Sequence, residues 1–228
     1  MPAPSVKFPL VLVNLKTYPQ STGAGAVKIA RLAEEASKTT GVCIAVAPQT
    51  VDLQSVTNAV DIPVFSQHID PITPGRNTGH ILPDAVHSAG ASGTLISHSE
   101  RKLELEGIEA RIMRAKEVGL VQVVCIDTVQ RGTKVSQFHP DAVAIEPPEL
   151  IGTGIPVSKA NPKIVSDSVK AVTSLDDRIK VLCGAGITSG EDVSSAMKLG
   201  VEGILVASGV VKSEDPLSKI LELAEAIR

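Results

Sequence analysis

The sequence predicts an α/β chain folded as a single, compact (β/α)8 barrel over residues 1–228, with trimmed helices and loops. Three observations predict it. Short, apolar, β-branched runs recur eight times, continuous rather than alternating, as strands buried on both faces require. Amphipathic helical patterns separate them, and glycines close several of those patterns just before the next run. Strand–helix alternation implies parallel strands joined by right-handed crossovers, and eight successive units point to closure. At about 28 residues per unit, the 228-residue chain is shorter than the roughly 250 typical of such barrels. An open doubly wound sheet is the main rival on pattern alone.

The strands are read at Leu10–Val13, Val42–Ala47, Val64–Ser66, Gly93–Ile96, Val121–Cys125, Ala142–Ile145, Lys180–Cys183 and Gly203–Val206. Helical spacing joins Ile29, Leu32, Ala33 and Ala36, then Ile108, Ile112 and Ala115 opposite a charged face that includes Glu104, Glu109, Arg111 and Lys116. It returns at Val193, Ala196, Met197 and Gly200, and at Leu217, Ile220, Leu221 and Ala224. The weakest helices are those around Val51–Ala59 and Thr128–Val135. Gly41, Gly90, Gly119 and Gly200 stand where left-handed caps belong.

Composition narrows the function. Hydrophobic residues are 43% and charged residues 21%, a globular balance, and the net charge of −3 offers no basic excess for a nucleic acid backbone. Four aromatics (Phe8, Tyr18, Phe65, Phe138) make a base-stacking platform improbable. Three widely spaced cysteines, with no CxxC, speak against a disulfide framework or a zinc site and for a reducing compartment. His68, His80, His87 and His139 lack acidic or cysteine partners at ligand spacing, so no metal is expected. The longest apolar runs are too short to cross a bilayer and the N-terminus lacks a secretory pattern, so a cytoplasmic protein is expected.

In such a barrel, chemistry belongs where strands end and helices begin. After the first strand come Asn14 and Lys16, the latter able to hold an anion or to form an imine. After the fourth come His98, Ser99, Glu100 and Arg101, before a helix expected near Lys102; a helix end beside His98 would disfavour its protonation. After the sixth comes Glu146, whose place at the end of an apolar strand suits a partly desolvated general base. Residues 147–154, Pro-rich at one end and Gly-Thr-Gly at the other, have the composition of a lid. Gly184, Ala185 and Gly186 follow the seventh strand, and Ala207, Ser208 and Gly209 the eighth; small residues there let backbone N–H groups approach an oxyanion. The partial dinucleotide fingerprint at Gly184 and Gly186 lacks its third glycine. Cys183 reads as a small buried hydrophobe.

The order Asn-x-Lys, His-Ser-Glu-Arg, Glu-Pro-x-x-x-Ile-Gly-Thr-Gly and two Gly/Ala/Ser-rich loops spans essentially the whole chain and resembles the triosephosphate isomerases. Leu15 where a Trp is usual, Glu149-Leu150, Lys102 and Gly-Ala-Gly at 184–186, with the short length, resemble the compact archaeal branch. The resemblance implies a TIM barrel isomerase of glycolysis and gluconeogenesis, without a cofactor, that interconverts dihydroxyacetone phosphate and D-glyceraldehyde 3-phosphate. It implies Glu146 as base, His98 as electrophile, Lys16 and Asn14 as oxyanion and substrate contacts, and Glu100 as the group orienting them. It also implies phosphate contacts near Ile151, Gly152, Gly186, Ala207 and Ser208. The Pro- and Gly-rich segment 67–80 is long for a trimmed barrel, and the resemblance implies that it inserts into a neighbouring subunit, making a dimer or a homotetramer. Two rivals differ in chemistry: an imine-forming aldolase using Lys16 or Lys180, and a non-catalytic sugar-phosphate-binding barrel.

Overall fold

The computed structural model describes residues 3–147 and 160–228. Eight strands are present: β1 (Leu10–Asn14), β2 (Cys43–Ala47), β3 (Phe65–Ser66), β4 (Gly93–Ile96), β5 (Val121–Ile126), β6 (Ala142–Ile145), β7 (Lys180–Cys183) and β8 (Gly203–Val206). Each differs from its sequence-predicted span by at most one residue at an end. All pairings are parallel, in the order β2-β1-β8-β7-β6-β5-β4-β3. The remaining gap, between β2 and β3, is spanned by one parallel bridge from Val46 to Val64. The architecture is the (β/α)8 barrel, and the open sheet is excluded.

The helices follow in chain order: α1 (Ala24–Thr40), α2 (Leu53–Thr57), α3 (Pro83–Ser88), α4 (Leu105–Glu117), α5 (Val129–Ser136), α6 (Pro162–Thr173), α7 (Gly190–Met197), α8 (Ser208–Val211) and α9 (Pro216–Glu225). The four anticipated cap glycines all take positive φ, 73° at Gly41, where the N–H donates to the Ser37 carbonyl and ends α1. The helix expected near Lys102 begins instead at Leu105. A short 3-10 turn, Ser99–Arg101, intervenes, and Lys102 is extended.

The alternation of side chains along the strands divides the core in two. Leu10, Leu12, Ala45, Ala47, Phe65, Leu95, Val123, Cys125, Ala142, Ala144, Leu182 and Leu205 fill the barrel interior. Their neighbours in sequence, among them Val11, Val13, Ile44, Val143, Ile145 and Val181, face the helices. Strand period 2 therefore continues the interior rows upward: above Leu10 and Leu12 stands Asn14, and above Ala142 and Ala144 stands Glu146. The segment between β3 and α3 is a long loop whose base is buried at His68, Ile69 and Asp70 and whose residues 73–76 and 78–80 are exposed.

Candidate active site

At the carboxyl ends of the strands lies a cleft of about 80 Å³ lined by Asn14, Lys16, Tyr18, His98, Glu146, Gly186, Ala207 and Ser208, among others. The structure thus gathers seven of the sequence-selected residues around one space. Glu100 is not in its wall. It stands at the rim, its carboxylate half-exposed and paired to the Lys16 ammonium at 2.8 Å. Ile151, Gly152 and the lid segment beyond Pro147 lie outside the described residues. Lys180 pairs with Glu202 at the opposite, amino-terminal end of the strands, which removes it from any imine chemistry in this cleft.

Each polar group is held by its backbone. Lys16 has φ of +49°, a left-handed conformation that costs an L-residue on the order of 1 kcal/mol or more. Two contacts hold it there: its N–H donates to Asn14 Oδ1 (2.9 Å), and its carbonyl accepts from Gln67 Nε2 (2.9 Å). Gln67 also donates to the Ala47 carbonyl, so it ties the ends of β1 and β2 to the start of the long loop. Sequence reasoning missed Gln67 as a site residue, because the pairing joins positions 51 residues apart.

His98 caps the 3-10 turn. Its Nδ1 accepts the Glu100 backbone N–H at 3.2 Å, so the proton of the neutral ring belongs on Nε2. Nε2 lies 3.6 Å from Glu146 Oε2. Glu146 is 6% exposed, and among the described residues its Oε2 accepts no hydrogen bond. A desolvated carboxylate with a free lone pair, aimed into a cleft, is what proton abstraction from carbon needs.

The neighbours of Glu146 explain its seat. A Cβ on Gly184 would stand 2.4 Å from Glu146 Cγ, so glycine is required there. Sequence reasoning gave this glycine to anion binding; it makes room for the carboxylate. Cys125 and Cys183 lie beneath. Burial first, and the Glu146 charge second, push Cys183 up to about 12 and Cys125 well above its ordinary range. Both stay protonated at neutral pH and are not nucleophiles; the Cys125 thiol hydrogen-bonds to the Glu146 carboxylate. α8 opens at Ala207, with Ser208 and Gly209 also in the cleft wall.

A family model described as triosephosphate isomerase matches residues 9–226. The chain belongs to the triosephosphate isomerase family. It is 50% identical over 218 residues to the triosephosphate isomerase of Methanocaldococcus jannaschii, an alignment covering 96% of this chain and 100% of that relative. It is also 50% identical to that of Methanosarcina acetivorans, with 96% and 99% covered, and 46% identical to that of Methanothermobacter thermautotrophicus, with 96% of each covered. The cleft described above is accordingly the candidate active site of a triosephosphate isomerase family member.

Proposed function

We propose that this protein is an isomerase that interconverts dihydroxyacetone phosphate and D-glyceraldehyde 3-phosphate through an enediolate, serving glycolysis and gluconeogenesis. The single observation that supports this most is the convergence of a buried carboxylate, an imidazole and an ammonium on one cleft. Glu146 removes a proton from the carbon next to the carbonyl and returns it to the neighbouring carbon. His98, with its proton on Nε2, donates to the carbonyl oxygen and passes the proton between the two oxygens. Lys16 and Asn14 stabilise the negative oxygen, and Glu100 orients Lys16 through its carboxylate and His98 through its N–H. Gly186, Ala207 and Ser208, with Ile151 and Gly152 of the 147–154 lid, supply backbone donors for the phosphate. Lid closure excludes water and protects the enediolate.

Residues 1–228 form one catalytic domain that works in the cytoplasm. No described helix is long and apolar enough to cross a membrane. The 67–80 loop joins copies of the chain into a dimer or tetramer. A coupled NADH assay with glyceraldehyde 3-phosphate tests the activity, and Glu146→Gln tests the base. Removing a general base costs ~10²–10⁴-fold, so a variant within tenfold of wild type would refute the assignment. Borohydride trapping of a covalent adduct would favour the imine reading instead. Substrate binding without turnover would favour the non-catalytic barrel.

A further inference from the structure

The charges in the cleft wall do not suit a dianion. Lys16 is already paired with Glu100 at 2.8 Å, and Glu146 adds an unpaired negative charge. Two other lysines of the same end are also neutralised: Lys102 by Asp127 at 2.8 Å and Lys219 by Glu222. Each of these three cations stands beside a carboxylate, and Glu146 adds a further negative charge to the space that a phosphate ester would enter. Lys212 differs. It follows α8 directly, one turn after Ser208 and Gly209 of the cleft wall, and no carboxylate of the described residues pairs with it. Its ammonium sits instead over the Tyr18 ring, 4.5 Å from the centroid.

Tyr18 itself lines the cleft. Its backbone is pinned: its carbonyl accepts from the Ser21 N–H (3.0 Å), the Ser21 hydroxyl (3.2 Å) and the Thr22 hydroxyl (3.0 Å). The fully buried Ser21 hydroxyl also donates to the Leu15 carbonyl, so the turn is fastened to the end of β1. The backbone that carries the ring is thus held at the cleft, and the ring face meets Lys212. A ring face fixes an ammonium without cancelling its charge, as a carboxylate would.

Building on the proposed activity, we infer that Lys212, positioned by Tyr18, is the rim cation that draws the phosphate group of the substrate into the cleft and sets its affinity. Lys212 acts by long-range attraction at the phosphate end, and Tyr18 is a positioning residue. Neither takes part in proton transfer, so the effect falls on KM and not on kcat. One charge acting on a dianion across about 10 Å of well-solvated rim changes affinity about three- to fivefold, and salt screens it.

The test is steady-state kinetics of Lys212→Gln, Lys212→Arg, Tyr18→Leu and Tyr18→Phe, with calorimetry of inorganic phosphate on each. At low ionic strength Lys212→Gln raises KM and the phosphate Kd together by about three- to fivefold with kcat unchanged. The difference closes near 1 M NaCl, where the screening length is roughly 3 Å. Lys212→Arg restores both constants. Tyr18→Leu gives a smaller increase of the same kind, and Tyr18→Phe, which keeps the ring face, restores it. Unchanged KM and phosphate Kd in Lys212→Gln overturn the inference, as does a defect that persists at 1 M NaCl. Absence of isomerase activity in the wild type would instead overturn the proposed function, and the phosphate calorimetry would still decide the role of Lys212.

Discussion

Glu146 shows how much of a catalytic group is decided by residues that do no chemistry. Its backbone N–H donates to the Ile126 carbonyl and fixes the top of β6 against β5, while Gly184 on β7's extension leaves the volume its methylene occupies. Gly184→Ala places a methyl group 2.4 Å from Glu146 Cγ, closer than real carbon contacts allow, so the carboxylate must move. A displacement of about 1 Å at the reacting atom can cost on the order of 10²-fold. The expected outcome is a fall of at least tenfold in kcat, since the displaced group is the base. Activity equal to wild type would mean that the carboxylate has slack that its burial does not suggest. Lys16 makes the complementary case. General base catalysis alone falls short of enzymatic acceleration, so the ammonium and imidazole field must supply much of the rest. Lys16→Ala should lower kcat/KM by at least 10²-fold, and near-wild-type kcat/KM at neutral pH would defeat the electrostatic account.

The elements carry these residues with different degrees of legibility. Strand parity places Asn14 and Glu146 on the interior rows, because period 2 runs from Leu10 to Asn14 and from Ala142 to Glu146, while Lys16 reaches the cleft from a left-handed turn just beyond β1. That much is local and can be read from the chain. The Gln67 brace and the Tyr18–Lys212 platform are not, since they join positions 51 and 194 apart whose proximity exists only after closure. The start of α4 is also misjudged from sequence: the charged run after His98 looks helical, but Lys102 turns away to pair with Asp127. The loop between β3 and α3 shows a similar nonlocal design. Asp70 receives the Ile81 N–H, the His68 ring and Arg111 Nη2, while Arg111 Nε reaches the Ile69 carbonyl and Arg114 Nε the Ile72 carbonyl. Burial opposes the Asp70 charge, but the Ile81 N–H, His68 and Arg111 outweigh it and hold the carboxyl at about 2. A lowered carboxyl pKa stabilises the fold above its unfolded value, 3.8, and loses that contribution as pH falls through about 2. The size is on the order of 2 kcal/mol. Burial holds the His68 ring below its ordinary value, so its protonation weakens the fold in the same direction. Asp70→Asn should lower unfolding stability in urea by about 3 kcal/mol at pH 7, with the gap to wild type narrowing between pH 4 and pH 2. A gap that stays constant over that range would show that Asp70 acts by packing and not by charge.

At the scale of the whole molecule, the same loop poses an assembly question. Its base is anchored by two part-buried arginines, yet residues 73–76 and 78–80 are exposed. Anchoring so long a segment so firmly, in a barrel trimmed elsewhere, makes sense if the tip has a surface to meet. The carboxyl-end rim is the natural one, because Gln67 starts the loop and also braces Lys16. A tip seated in a second copy would then steady the strained Lys16 backbone, coupling assembly to catalysis. Sedimentation of the active protein should give a dimer or tetramer of the 23.7 kDa chain. Shortening the tip across residues 73–79 should yield monomers that keep the barrel's circular dichroism but lose at least tenfold in kcat. An active species sedimenting as a 23.7 kDa monomer, or a shortened variant that retains full kcat, would separate the loop from the chemistry and leave Gln67 and Asn14 as sufficient support for Lys16.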